Sequence, residues 1–373
     1  MLNAMSSRLF VTGVAGTLAL GLLAAPAAAE PAPVRFLGAT TVPNALPFDG
    51  TTVGGLSGID YDRRTGEYVL ICDDRSALQP ARFYTARFDV TAGGLGPVTF
   101  TDTEPLRRPD GSTYPKQGVD PEDLRVDPWT GRYYWVQEGE RAGGTLADPS
   151  LRVATRDGGY AGELPIPDNE RMTEGAGPRQ NLALEGLTFA AAGSLLVSSV
   201  EGPLLQDGPE ATPEHGSLSR ITVQSRFGPV LAQYAYPQEP VFASPNPPGA
   251  FATTGVSSIL AADPLDPTRF LVLERSFVTG VGNKVRLFEV DTKGATNVMD
   301  VPSLGNAKKL KPVRKRLLAD LAAIPGSTLS TVDNVEGMTL GPRLPSGERS
   351  LLLVSDDNFA ATQVTQLIAL ALP

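Results

Sequence analysis

An all-β chain of the propeller kind is predicted by three observations. A strand-turn-strand pattern recurs five times, tight-turn residues recur at matching places, and a strand near the N-terminus can complete a last unit that is one strand short. The pattern is a short strand opening on Ser-Gly, Glu-Gly or a similar pair, a turn, and an apolar strand ending in acid. It stands at residues 57–61 with 68–74, 122–126 with 133–138, 185–189 with 195–201, 257–260 with 270–274, and 336–340 with 351–357. The openings lie 63 to 79 residues apart, which is room for four strands per unit. In the first unit the turn carries Asp62 and Thr65-Gly66, repeated in the second as Asp127 and Thr130-Gly131. Asp supplies a side-chain acceptor there, and Gly the positive φ of a tight hairpin.

Two more strand-like runs follow most hairpins: 82–90 and 97–103, 151–155 and 162–166, 217–223 and 229–236. In the fourth unit, 284–290 precedes a less regular stretch. The last unit has only 363–372 after its hairpin, so 34–42 is predicted to pair with it and close the ring, removing exposed sheet edges. Five blades are counted, and six are possible if the irregular fourth unit hides another. Residues 308–324 depart from the pattern. Val313, Leu317, Leu321 and Ile324 stand at near-helical spacing behind Lys308, Lys309, Lys311, Arg314, Lys315 and Arg316. The stretch reads as a short rim helix or as an outer strand with a basic lead-in. Its charges read as solvated surface or as a docking site for an anionic substrate.

Residues 1–29 carry Arg8, an apolar run over 9–25 and small residues at Ala27 and Ala29, the pattern of a secretory signal peptide cut near Ala29. The run is shorter than a usual membrane span. No lipid-accepting cysteine follows it, and 366–373 shows no hydrophobic anchor. A single domain over 30–373 is therefore expected, monomeric and free in the extracellular or periplasmic space. The chain holds 41 acidic against 32 basic groups, net −9, and loss of Arg8 makes it −10. That balance argues against nucleic acid or an anionic membrane as partner and favours cations. Cys72 is the only cysteine, so no intrachain disulfide is possible, and it reads as strand packing. His215 is the only histidine and sits in a loop by composition, so it has no partners for a catalytic triad.

In an antiparallel hairpin the start of the first strand lies beside the end of the second. Ser57 is thus expected beside Asp73, Glu122 beside Glu138, Glu185 beside Glu201, Ser257 beside Glu274, and Glu336 beside Asp356, all converging around the channel. Asp74, Asp123, Glu140, Asp333 and Asp357 are close in sequence, with Arg75, Arg141 and Arg275 interleaved and Asn181, Asn334 and Asn358 nearby. Packed carboxylates repel one another unless protonated, paired with Arg or bridged by a metal. Oxygen-only donors favour Ca²⁺ over Zn²⁺.

The candidate metal ligands are Asp73, Asp74, Glu122, Asp123, Glu138, Glu201, Glu274, Asp356 and Asp357. The candidate catalytic groups are Glu185 and Glu336, with Arg75 and Arg275 steadying charge on substrate oxygens. A plainer reading of the same acids is that they bond backbone groups of adjoining blades or pair with Arg. No nucleophile elbow, dinucleotide fingerprint or phosphate loop is present: Gly55-Leu56-Ser57-Gly58 has the wrong spacing.

The segments Asp333-Asn334-Val335-Glu336-Gly337-Met338, Leu-Leu-Leu-Val-Ser-Asp-Asp-Asn-Phe at 351–359, Leu184-Glu185-Gly186-Leu187 and Lys284-Val285-Arg286-Leu287-Phe288 carry a resemblance. The chain resembles, over most of its length after residue 29, the secreted bacterial proteins called esterase-like activity of phytase. The resemblance implies a propeller that hydrolyses phosphate or other esters of a small molecule. The acidic runs by which propeller phytases bridge Ca²⁺ to phosphate are not found here, so phytate itself is not assigned. Two other readings are a non-catalytic, metal-stabilised propeller binding a ligand or partner in the cell envelope, and a lactone or carboxylic-ester hydrolase.

Overall fold

Residues 33–373 are described by a computed structural model, and they form five four-stranded antiparallel sheets arranged as the blades of a propeller. Residues 1–29, read from the sequence as a signal peptide, lie outside the described residues. Blade I consists of Leu56–Asp62, Glu67–Cys72, Arg82–Arg87 and Thr99–Pro105; blade II of Pro121–Val126, Tyr133–Gln137, Ser150–Ala154 and Tyr160–Leu164. Blade III has Leu184–Ala190, Leu195–Val200, Leu218–Ser225 and Val230–Pro237. Blade IV has Ala252–Ala261, Arg269–Val278, Gly282–Asp291 and Arg314–Asp320. In blade V, Asn334–Arg343, Arg349–Asp356 and Thr365–Leu372 are completed by Arg35–Val42, which pairs antiparallel with Thr365–Leu372. The two ends of the described chain close the ring as the short last repeat predicts.

Alternating strands with an apolar face must bury that face against a neighbour, and in this ring every neighbour is another blade. Five of the buried clusters lie one at each blade interface, and a smaller one packs Ala235 against Val298 and Leu304. Blades I and II share Ile71, Phe83, Leu124 and Trp135, and blades II and III share Val136, Leu151, Leu187 and Leu196. Val197, Ile221, Ile259 and Phe270 join III to IV. Leu260, Leu271, Met338 and Leu351 join IV to V, and Ile59, Leu70, Leu352 and Val354 seal V to I. Cys72 belongs to this last cluster as a buried packing residue.

The turn residues act as read from the sequence. Asp62 accepts from Arg64 N and Asp127 from Trp129 N, each at 2.9 Å, while Gly66 and Gly131 take φ of +74° and +76°. The same two acids also clasp the next blade, Asp62 to Arg156 at 2.5 Å and Asp127 to Arg226 at 2.7 Å. The stretch 308–324 supplies the outer strand of blade IV, Arg314–Asp320, followed by one 3₁₀ turn, Leu321–Ala323, and not a rim helix. Three of its six basic residues pair within the blade, Arg314 with Asp291, Arg316 with Glu289 and Lys315 with Glu274.

Candidate functional site

Each blade's first strand carries a one-residue register shift at the same place, leaving Ser57, Glu122, Glu185, Ser257 and Glu336 without a ladder partner. A bulge of this kind re-aims one side chain. In blades II, III and V it aims a glutamate into a cavity at the channel mouth. In blades I and IV it aims a serine, and each hydroxyl donates to the next blade: Ser57 to Glu122 O at 2.8 Å and Ser257 to Val335 O at 3.2 Å. Gly58, Gly186 and Gly337 follow the bulge because a Cβ there would lie 2.8 to 2.9 Å from backbone atoms of the neighbouring blade. This close approach accounts for the recurring Ser-Gly and Glu-Gly pairs.

A second tier comes from the ends of the second strands, at Asp73, Glu138, Glu201, Arg275 and Asp356. Their backbone partners are Gly55, Asp120, Ala183, Gly255 and Asn334. The bulges shift the pairing, so Glu138 pairs with Asp120 where the sequence arithmetic placed Glu122. The side chains of Glu122 and Glu138 still converge. In blade IV the shift matters more: Arg275, and not Glu274, holds the tier position. Its partner Gly255 carries no side chain, and a Cβ there would lie 2.4 Å from Glu201 Cγ.

The cavity has a volume of about 980 Å³ and is lined by Asp73, Glu122, Glu138, Glu185, Glu201, Glu336 and Asp356 together with Asp120, Arg75 and Arg275. Two carboxylate triads share Glu138. One is Asp120, Glu122 and Glu138, the other Glu138, Glu185 and Glu201, and within each the nearest oxygens all lie within 4.8 Å of one another. Oxygens no farther apart than this can reach one ion at about 2.4 Å, the coordination distance of Ca²⁺. The donors are all hard oxygens, so the residues fit a hard divalent cation.

Burial and mutual repulsion dominate the electrostatics. Desolvation, then neighbouring carboxylates, hold Asp73, Glu122, Glu138 and Glu185 well above the usual carboxylate range. Asp356 is held well above it too, by desolvation and then Glu336. Burial raises Asp120 to about 6 against the pull of Arg75, and Glu336 to about 7 against the pull of Arg275. Glu201 is raised by burial and partly restored by Arg275. Arg275 reaches Glu201 at 3.1 Å and Glu336 at 3.4 Å, while Arg75 reaches Asp120 at 3.3 Å and also Glu140. Asn334 Nδ2 donates to Glu336 at 3.0 Å and to Asp356 at 3.1 Å, fixing the blade V pair.

Four residues expected as metal ligands are drawn elsewhere. Asp74 accepts from Ala77 N, Leu78 N and Gln79 N and pairs with Arg82 at 2.8 Å; these bonds outweigh its burial and hold its carboxyl below the ordinary value. Asp123 lies on the opposite strand face from Glu122, bound to Arg125 at 2.7 Å and Leu187 N at 2.9 Å. Glu274 faces Tyr236, whose hydroxyl donates at 2.7 Å, and Lys315. Asp357 accepts from Gly55 N at 2.9 Å and Phe359 N at 3.1 Å, joining blade V to blade I. In each case a one-residue step along a strand or its end turned the carboxylate away from the axis.

Sequence reasoning missed Asp120, whose signal was its place two residues before the bulge and opposite Glu138. It also missed Arg125, whose guanidinium spans the channel below the acids, donating to Ile59 O, Leu187 O and Met338 O of three other blades.

No curated protein matches the chain in sequence. Among solved structures, a gluconolactonase from Xanthomonas campestris shares 14% identity at a TM-score of 0.34, over 94% of this chain and 99% of that one. A structure from a family of mannoside phosphorylases containing glycoside hydrolases that target β-1,2-mannosidic linkages in Candida mannan shares 11% at 0.45, over 89% and 94%. The Dos1 propeller shares 6% at 0.35, over 85% and 68%. The phytase-like family model, described as esterase-like activity of phytase, matches residues 51–359, a span that holds both tiers of the channel mouth; the chain belongs to that family.

Proposed function

We propose that the protein is an exported, Ca²⁺-dependent hydrolase of phosphoric or other esters, acting on a small molecule at the acidic mouth of the propeller. The observation that carries the reading is the pair of carboxylate triads joined at Glu138 inside a cavity large enough for a substrate. Asp120, Glu122, Glu138, Glu185 and Glu201 would hold the cation or cations. When bound, Ca²⁺ supplies fixed positive charge that lowers the cost of negative charge developing on an ester oxygen. Export rests on the 1–29 segment. Among the described residues no helix is long and apolar enough to cross a membrane.

The chain's own groups supply the rest. Glu336, which burial raises to about 7 in the metal-free protein, borders the two triads and is the general base of this reading. One of its oxygens is fixed by Asn334, and the other takes the proton of the attacking water. Arg275, held between Glu201 and Glu336, orients the base and faces the charge that forms on the substrate. Asp73 and Asp356 border the same space, and Arg125 ties three neighbouring blades together through Ile59 O, Leu187 O and Met338 O.

The test is turnover of aryl phosphates, aryl carboxylic esters and lactones by the purified protein, with Ca²⁺ and with chelator. Activity that needs Ca²⁺ and falls about 10²- to 10⁴-fold in Glu336→Gln is expected. Cation binding with no turnover of any ester contradicts the reading and leaves a metal-stabilised binding propeller.

A further inference from the structure

We propose that the acidic mouth receives a neutral, hydroxyl-rich ring, a sugar or polyol carried as its ester or lactone, and that blade IV is the platform that holds it. The inference rests on the hydrolase reading for the reaction and on separate residues for the binding.

Blade IV is taller than its neighbours. Its first strand begins at Ala252, five residues before the bulge at Ser257, whereas in blades I, II and III only one strand residue precedes the bulge and in blade V two. The excess of three to four residues raises the strand by about 10 Å above the acidic face. The second strand continues with it to Val278, and the third starts at Gly282. The wall so formed turns Phe251, Thr253, Phe277 and Asn283 toward the cavity. Phe251 is 66% exposed, and its ring lies 6.1 Å from that of Phe277 at 35°. The exposed ring of Phe251, backed by the half-buried Phe277, offers an apolar surface beside the polar cavity to the C–H face of a ring. Around the rest of the rim, Asn181, Asn358 and Gln363 present amides, which donate to and accept from hydroxyls without requiring charge.

Charge separates this ligand class from a polyanion. Among the described residues, ten carboxylates and two arginines line the cavity, with no lysine or histidine. Both arginines are already paired with carboxylates. Burial holds several of these acids protonated without metal, and with all of them ionised around two divalent cations the lining still carries −4. A substrate bearing many phosphates would meet net repulsion, whereas a neutral polyol meets carboxylate acceptors for its hydroxyls.

The experiment uses the Ca²⁺-loaded full chain and calorimetric titration with neutral monosaccharides and aldonolactones, in parallel with myo-inositol hexakisphosphate. Phe251→Ala and Phe277→Ala are compared with Phe227→Ala, an exposed aromatic outside the cavity. We expect a neutral sugar or lactone to bind, with about three- to tenfold weaker affinity in the two cavity variants and no change in the control. Ca²⁺ affinity should be equal in all of them. The inference is overturned if the hexakisphosphate binds more tightly than every neutral ligand, or if Phe251→Ala and Phe277→Ala bind sugar like the parent protein. Turnover of aryl esters is read separately. Sugar binding without turnover of any ester sinks the hydrolase reading and leaves this inference standing, whereas aryl-ester turnover with no sugar binding sinks this inference alone.

Discussion

Blades III and IV share a bulge at the same register and bury a common interface, yet they meet the channel with opposite charge. Blade III offers Glu185 and Glu201, and blade IV offers Ser257 and Arg275 at the matching places. The repeat therefore supplies positions, not chemistry. Four blades concentrate carboxylates, and the fifth returns a cation to hold two of them and rises into a wall. Acids packed this densely need either protons, arginine or metal, and the structure places the arginine where the ring would otherwise carry a fifth acid.

The largest effect expected from breaking this contrast comes from Arg275→Met, which leaves Glu201 and Glu336 without their cation. Removing one member of a buried ion pair costs about 3–5 kcal/mol, so metal-free stability in denaturant should fall by that order at pH 8. At pH 5 the loss should shrink, since Glu336 has taken its proton. An equal loss at both values would mean that Arg275 acts by packing alone.

Glu138→Gln removes the charge of the carboxylate that both triads share. Ca²⁺ affinity by calorimetry should drop at least about 100-fold, more than removal of a supporting neighbour usually costs. Glu274→Gln, one residue from the tier position in blade IV, should leave that affinity unchanged.

The pH dependence sharpens the same picture. Asp120 at about 6 and Glu336 at about 7 bind protons more tightly folded than unfolded, where carboxyls titrate near 4. The stability they contribute is full below about pH 4 and is lost as pH rises through 6 to 7. The melting temperature of the metal-free protein should accordingly fall between pH 5 and pH 8, and saturating Ca²⁺ should flatten that fall. A metal-free protein that gains stability over this range contradicts the account.

The smallest effect on the site is expected from Asp74→Asn. It weakens the pairing with Arg82 and the capped loop, at a cost of about 2 kcal/mol in stability. Ca²⁺ affinity and turnover should not change, although Asp74 adjoins a cavity residue in sequence.

Much of this was legible in the sequence because repetition carries it. The five pattern openings at Ser57, Glu122, Glu185, Ser257 and Glu336 proved to be the five bulges, and the turn residues Asp62 and Asp127 fixed the hairpins between them. The missing strand of the last unit foretold the pairing of Arg35–Val42 with Thr365–Leu372. What sequence could not supply was register. A bulge adds one residue to one strand, so cross-strand counting placed Glu274 where Arg275 stands and overlooked Asp120 opposite Glu138. Acids next to the tier, such as Asp123 and Asp357, carry the same composition signal but accept backbone N–H groups of the adjoining blade. The wall of blade IV left a fainter trace: its longer strands bracket Phe251 and Phe277, and only their height above the bulge gives those rings a role.

The most direct test of the central claim is a crystal structure of the protein soaked in Ca²⁺ or its anomalous scatterer Tb³⁺. The account predicts anomalous density between Asp120, Glu122 and Glu138 or between Glu138, Glu185 and Glu201, with Glu138 as a ligand. Density only at surface carboxylates, with these triads remaining protonated and metal-free at pH 8, would contradict it.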